Sequence, residues 1–113
     1  MKVKLNRGQI GKVDGVDVTV KNATRLWKRV APTWSMVMFH KNEHIDDAQY
    51  TKLYLGILKK GGVELAREIY RAGVKNGGHL TFLCYCRNNQ FCHTHILIDW
   101  LMESFGAGFE NVR

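Results

Sequence analysis

Proline is nearly missing from this chain, occurring once, at Pro32, and aromatic residues still reach 11%. Together these exclude a disordered or proline-rich composition. No stretch approaches the ~18 consecutive apolar residues of a membrane span, and no N-terminal apolar run resembles a signal peptide. Cysteine is scarce: Cys84, Cys86 and Cys92 are three, which cannot form a complete intramolecular disulfide set. Cys84 and Cys86, two apart on one extended segment, point the same way and are too close along the strand to pair. Free thiols and a reducing cytoplasm are therefore expected. Acidic side chains are also short, ten against seventeen Lys and Arg, leaving a net charge of +7. That balance favours partners carrying phosphate or carboxylate, whether nucleotide, nucleic acid or an anionic surface. It is equally compatible with a merely well-solvated surface.

At 113 residues, 45% of them hydrophobic, the chain is long enough for one compact domain and too short for two ordinary ones. Met1 to Leu5 alternates Lys with apolar residues, a weak strand signal, and Asn6 to Gly15 reads as turn or loop. Val16 to Val20 (VDVTV) alternates as a half-buried strand does. The basic segment Arg25 to Arg29 is a loop or short helix leading to Pro32, which suits a helix start. Trp34, Val37 and Met38 then recur at helical spacing. Asp46 and Gln49 form a capping box, with Ile45 and Tyr50 placed as a hydrophobic staple. Tyr50, Leu53, Tyr54, Ile57 and Leu58 make the stripe of the helix that follows, and Gly61-Gly62 stops it. A further helix covers about Val63 to Val74, and Asn76 to Gly78 turns the chain into an apolar strand from Leu80. Ile96, Leu97, Trp100 and Leu101 share one face of the final helix, and Phe109 to Arg113 is a candidate edge strand. The order predicts a single α/β domain over residues 1–113, a small, mostly parallel, Rossmann-like sheet with helices packed on it.

The junction between the Leu80 strand and the final helix, LTFLCYCRNNQFCHTHILIDWL, holds all three cysteines and two of five histidines. Taken with VDVTVKNA, APTWSMVM and IDDAQYTKLY in this order, it resembles the YeaO-like family. These are small α/β domains of unknown function found widely in bacteria and bacteriophage genomes. The resemblance covers roughly Val16 to Phe109. It implies a Rossmann-related fold with a site at the strand–helix junction, and it falls on Lys21, Pro32, Thr33, Trp34, Tyr50, Cys84, Tyr85, Cys92 and His93. Family members often carry arginine directly after the Cys-His pair, and this chain has Thr94. An anion clamp would then need another donor, such as Arg87 or Lys21.

In α/β proteins ligands favour the carboxyl ends of strands, and the free N–H groups of the following helix suit an anion. Arg87, Asn88, Asn89 and Gln90 in the loop, the amides near Cys92 to Thr94, the Thr94 hydroxyl and Lys21 are the expected donors. Trp34 and Tyr50 offer flat faces for a base, although aromatics at helical spacing equally belong to a core. The expected ligand is therefore small, anionic and nucleotide-like, contacted by Lys21, Trp34, Tyr50, Cys84, Tyr85, Cys86, Arg87, Cys92, His93 and Thr94. Sequestering a nucleotide signal is one version of that role, through the phage link of the resemblance.

The rival is an enzyme using Cys92 and His93, since a helix N-terminus, a His and an Arg all favour a thiolate. Adjacent helical residues point about 100° apart, so His93 is not expected to serve Cys92 as its base. Inward-facing packing residues are the bland alternative for this pair. A third possibility is nucleic-acid binding through the basic clusters at Lys2 to Lys12, Lys21 to Arg29, Lys59-Lys60 and Arg67 to Lys75. No recognition motif accompanies them. A metal is not expected. The spacing C-x-C-x5-C-H-x-H is no finger or ribbon pattern, Cys84 and Cys86 lie ~6.5–7 Å apart, and strand cysteines usually act as small core residues. No cofactor is part of the expected site. A homodimer is possible, because small α/β domains with exposed aromatics often pair.

Overall fold

The structure, a computed structural model, describes residues 1–87 and 90–112; the loop donors expected at Asn88 and Asn89, and Arg113, lie outside the described residues. Strand β1 spans Val3–Gln9, with Val3 and Leu5 buried and Lys4 and Asn6 exposed, the period of two that a pleat imposes. It continues four residues into the segment expected to be loop. Asn6, Arg7, Gly8 and Gln9 pair with Thr81, Phe82, Leu83 and Cys84 of β3, His79–Cys84. The ladder to β3 holds these four residues as strand, so local turn chemistry loses.

The opposite correction applies to the VDVTV segment, where β2 is only Val16–Asp17. Asp17 Oδ1 accepts from the Thr19 amide at 2.9 Å and the Thr19 hydroxyl at 2.6 Å. That local turn ends the strand, and Val18 drops into the core. Strand β4, Phe109–Asn111, pairs with the first half of β1. The order is β2-β3-β1-β4 with every pair parallel, so the strands need crossover connections.

The β2–β3 and β3–β4 connections are helical, whereas residues 10–15 join β1 to β2 as a short non-helical turn. After a 3-10 segment at Arg25–Val30, helix α1 spans Trp34–Lys41, its start capped by the Thr33 hydroxyl accepting from the Met36 amide at 3.2 Å. Helix α2 spans Asp47–Lys75 and opens on the expected capping box, Asp46 with Gln49, at 2.8 and 2.9 Å. Gly62, at φ +56°, breaks its helical geometry. The two helices read from the sequence therefore meet at a kink at Gly62, within the Gly61-Gly62 pair expected to end the first of them. Helix α3 spans His93–Ser104 and leads to β4. Tyr54, Leu58, Leu65 and Ile69 of α2 share one apolar core with Leu97 and Leu101 of α3 and with Leu5, Phe82 and Phe109 of the sheet. Among the described residues, no helix is long and apolar enough to cross a membrane.

Candidate functional site

Strand β3 delivers Cys84 to the buried side of the sheet at its carboxyl end. The chain returns at Phe91, and Cys92 becomes the N-cap of α3 with extended backbone angles, φ −157° and ψ 147°. This overturns the expectation that Cys92 and His93 diverge as helical neighbours do. A cap residue is not yet helical, so its side chain can lie beside the next one, and Cys92 Sγ sits 3.7 Å from His93 Nδ1. His93 is buried, with Nε2 2.9 Å from the Val18 carbonyl oxygen. A carbonyl only accepts, so Nε2 carries the hydrogen and donates, and Nδ1 faces the sulfur. The Tyr54 ring stands edge-on to the imidazole at 5.4 Å between centroids. Cys84 Sγ joins the pair, and one donor atom from each of Cys84, Cys92 and His93 lies within 4.8 Å of the others.

Crowding sets the charges of this cluster. Hydrogen bonding from the Cys84 and Cys86 thiols holds the Cys92 pKa far below the ordinary thiol range, outweighing burial. Cys84 is pushed up by its interactions with Cys86 and Cys92 and then by burial. For Cys86 the interaction with Cys84 lowers the pKa, but Cys92 and burial together raise it. Burial works against charge on His93, yet the adjoining thiol groups raise its pKa to about 9. Tyr50 is raised by burial first and by the three sulfurs next. Without a bound cation, one thiolate on Cys92 beside an imidazolium is the arrangement these interactions favour.

The cluster forms part of the wall of a cleft of about 590 Å³. Cys84, Cys86, Cys92 and His93 line one part, and Lys21, Trp34, Tyr50 and Tyr85 are among the residues that line the remainder. Trp34 remains 59% exposed and Tyr85 57%, so both rings are open to a visitor. Tyr50 belongs to the packed wall, its ring against His40 at 5.0 Å and Phe91 at 5.4 Å. Arg87 is exposed and is not on this wall; its amide is turned to the Gln90 side chain at 3.0 Å. Thr94 is fully buried and also off the wall, its hydroxyl accepting from Arg7 Nε at 3.0 Å.

Arg7 went unnoticed in the sequence because its neighbours look like a turn. It is buried, and its Nη2 donates to the Cys86 carbonyl at 2.8 Å. An arginine thus lies against the residue after Cys-His, but it comes from β1. His40 and Lys41 are further cleft residues with no signal in the sequence. A second cavity, of about 580 Å³, is lined by Arg7, Lys12, His95 and Asp99 and contains none of the thiols.

Chemically the corner offers a thiol, an imidazole aimed at it and a carbonyl that fixes the ring, the parts of an activated nucleophile. Its two buried thiols and one imidazole are also donors for a soft or borderline metal. A family model described as the active DUF488-N3 subclade matches residues 5–105. No match was found among curated proteins or among solved structures.

Proposed function

The chain belongs to the DUF488-N3a family, and from that premise we propose that it binds a small anionic, nucleotide-derived ligand in the cleft beside Cys92 and His93. Within the DUF488-type family we take it to be YeaO-like, on the order and spacing of its motifs. The observation that carries the binding reading is the convergence of Lys21, Lys41 and the open ring of Trp34 on one cleft of about 590 Å³. That volume lies in the range of small-molecule sites. The start of α3 adds donors: its cap makes no side-chain hydrogen bond to the helix, and such a terminus favours negative charge. Lys21 would meet the phosphate and Trp34 the base.

The test is a thermal-shift series with nucleotides against the matching nucleosides, followed by mass analysis of what heat-denatured protein releases. Phosphorylated members should raise the melting temperature and come back intact. Lys21→Gln should weaken the shift for nucleotides, and Trp34→Ala should weaken it for every base. No shift with any phosphorylated compound would overturn the reading. A second reading, turnover of that ligand through Cys92, is favoured by the 3.7 Å approach of Cys92 Sγ to His93 Nδ1. It predicts converted product in the released fraction, lost in Cys92→Ser while binding persists.

A further inference from the structure

We infer that Cys84, Cys92 and His93 form a binding site for a zinc-class divalent cation, with a fourth coordination position open to the cleft. This goes beyond the ligand reading and stands or falls separately from it. Zinc takes thiolate at about 2.3 Å and imidazole nitrogen at about 2.0–2.1 Å, usually in a tetrahedron. The edges of such a tetrahedron are about 3.6–3.8 Å. Cys92 Sγ and His93 Nδ1 already stand 3.7 Å apart, and all three donor atoms fall within 4.8 Å of one another. Small side-chain rotations close the remaining difference.

The surroundings of the histidine match the same chemistry. A metal-bound imidazole commonly donates its other N–H to a carbonyl or carboxylate, which fixes the ring and directs the free lone pair. His93 Nε2 does this with the Val18 carbonyl at 2.9 Å, held on a segment that the Asp17 turn puts in place. The ligands come from the end of β3 and from the N-cap and first residue of α3, so each sits directly on a regular element of the scaffold.

Charge completes the case. In the loaded site Cys84 and Cys92 are both thiolates and His93 is neutral, two protons having left to solvent relative to the metal-free cluster, and the two thiolates cancel the charge of the dication. The loaded site is neutral, as a buried corner requires. A nucleophile needs one thiol; a second buried thiol within reach of both Cys92 and His93 is what a metal needs. Among the described residues the donor set closes at three, and all three line the cleft. The fourth position is left for water or for an anionic ligand, as in catalytic-type zinc sites. Half-buried Cys86 stands nearby but is not assigned as a ligand.

The 113-residue chain, purified without chelator, should carry close to one zinc by elemental analysis. After removal with chelator, cobalt(II) should restore one equivalent, with thiolate-to-cobalt charge-transfer absorption and the intense d–d bands of a tetrahedral site. Cys84→Ser and Cys92→Ser should lose those bands, and Cys86→Ser should keep them. Because serine at either buried position also costs stability, the wild-type protein supplies a second readout: zinc should protect two of its three thiols from alkylation, and chelator should release them. Cobalt bands that survive Cys92→Ser, bands that vanish in Cys86→Ser, or alkylation unaffected by zinc would each overturn the assignment. A single fast-reacting cysteine indifferent to zinc would identify a nucleophile instead. Failure of the nucleotide series would leave these measurements untouched.

Discussion

Replacing Arg7 by methionine keeps an unbranched stem inside the sheet and removes the guanidinium. Arg7 donates at least two hydrogen bonds, to the Thr94 hydroxyl at 3.0 Å and the Cys86 carbonyl at 2.8 Å. Bonds from a charged donor contribute about 1.5–3 kcal/mol each, and orphaning a buried acceptor costs about 1–3 kcal/mol. Against this stands the desolvation of a cation that is only 6% exposed, which offsets part of the gain. A net loss of about 3 kcal/mol follows. At about 2.1 cal/mol/K per residue, the unfolding entropy of the whole chain is roughly 0.24 kcal/mol/K, so the melting temperature should fall by about 12 °C. Calorimetry, or circular dichroism at fixed protein concentration, reads this directly, with exposed Arg71→Met as a control expected within about 0.5 kcal/mol of wild type. In a double-mutant cycle with Thr94→Val the effects should be non-additive by about 1 kcal/mol or more, since the residues touch. A loss for Arg7→Met below about 1 kcal/mol, or strict additivity with Thr94→Val, would refute the idea that this cation ties β1 to the start of α3.

Two glycines of α2 should respond oppositely to alanine. A Cβ at Gly73 would stand 2.4 Å from Val3 Cγ1 in the core, so Gly73→Ala should cost about 1–3 kcal/mol despite better helix propensity. Gly56 has nothing within 4 Å of such a Cβ, and Gly56→Ala should gain about 0.5–1 kcal/mol in urea titration. Asp46→Ala removes one half of the capping box and should cost about 1 kcal/mol, with faster amide exchange over residues 47–50. Tyr54→Phe takes the donor from the buried Val30 carbonyl and should cost about 1–2 kcal/mol by the same titration.

What the sequence disclosed of the fold is what short-range chemistry decides. Asp46 and Gln49 lie within one turn of helix, and their mutual bonds need no tertiary partner, so the start of α2 could be read in advance. The parallel sheet followed from strands alternating with helices. The length of β1 could not be read: Asn6-Arg7-Gly8 has the composition of a turn, and only pairing with Thr81, Phe82 and Leu83 makes it strand. In β2 the competition went the other way. A valine alternation favoured five residues of strand, and one aspartate accepting two hydrogen bonds from Thr19 ended it after two.

The site divides along the same line. Its address was legible because all the cysteines crowd the β3–α3 junction. Its inner geometry was not, because it turns on where α3 begins. If Cys92 were helical, its sulfur would point away from the imidazole; as an extended cap it lies beside it, and the reach of the cluster changes from one side chain to three. The groups that orient these side chains come from far along the chain. Arg7 meets Thr94 across 87 residues, and the Val18 carbonyl meets His93 across 75. No local pattern marks a backbone carbonyl as a partner for a histidine. The Val18 carbonyl is nevertheless the group that decides which imidazole nitrogen faces the thiols, and on that choice both the nucleophile and the metal readings depend.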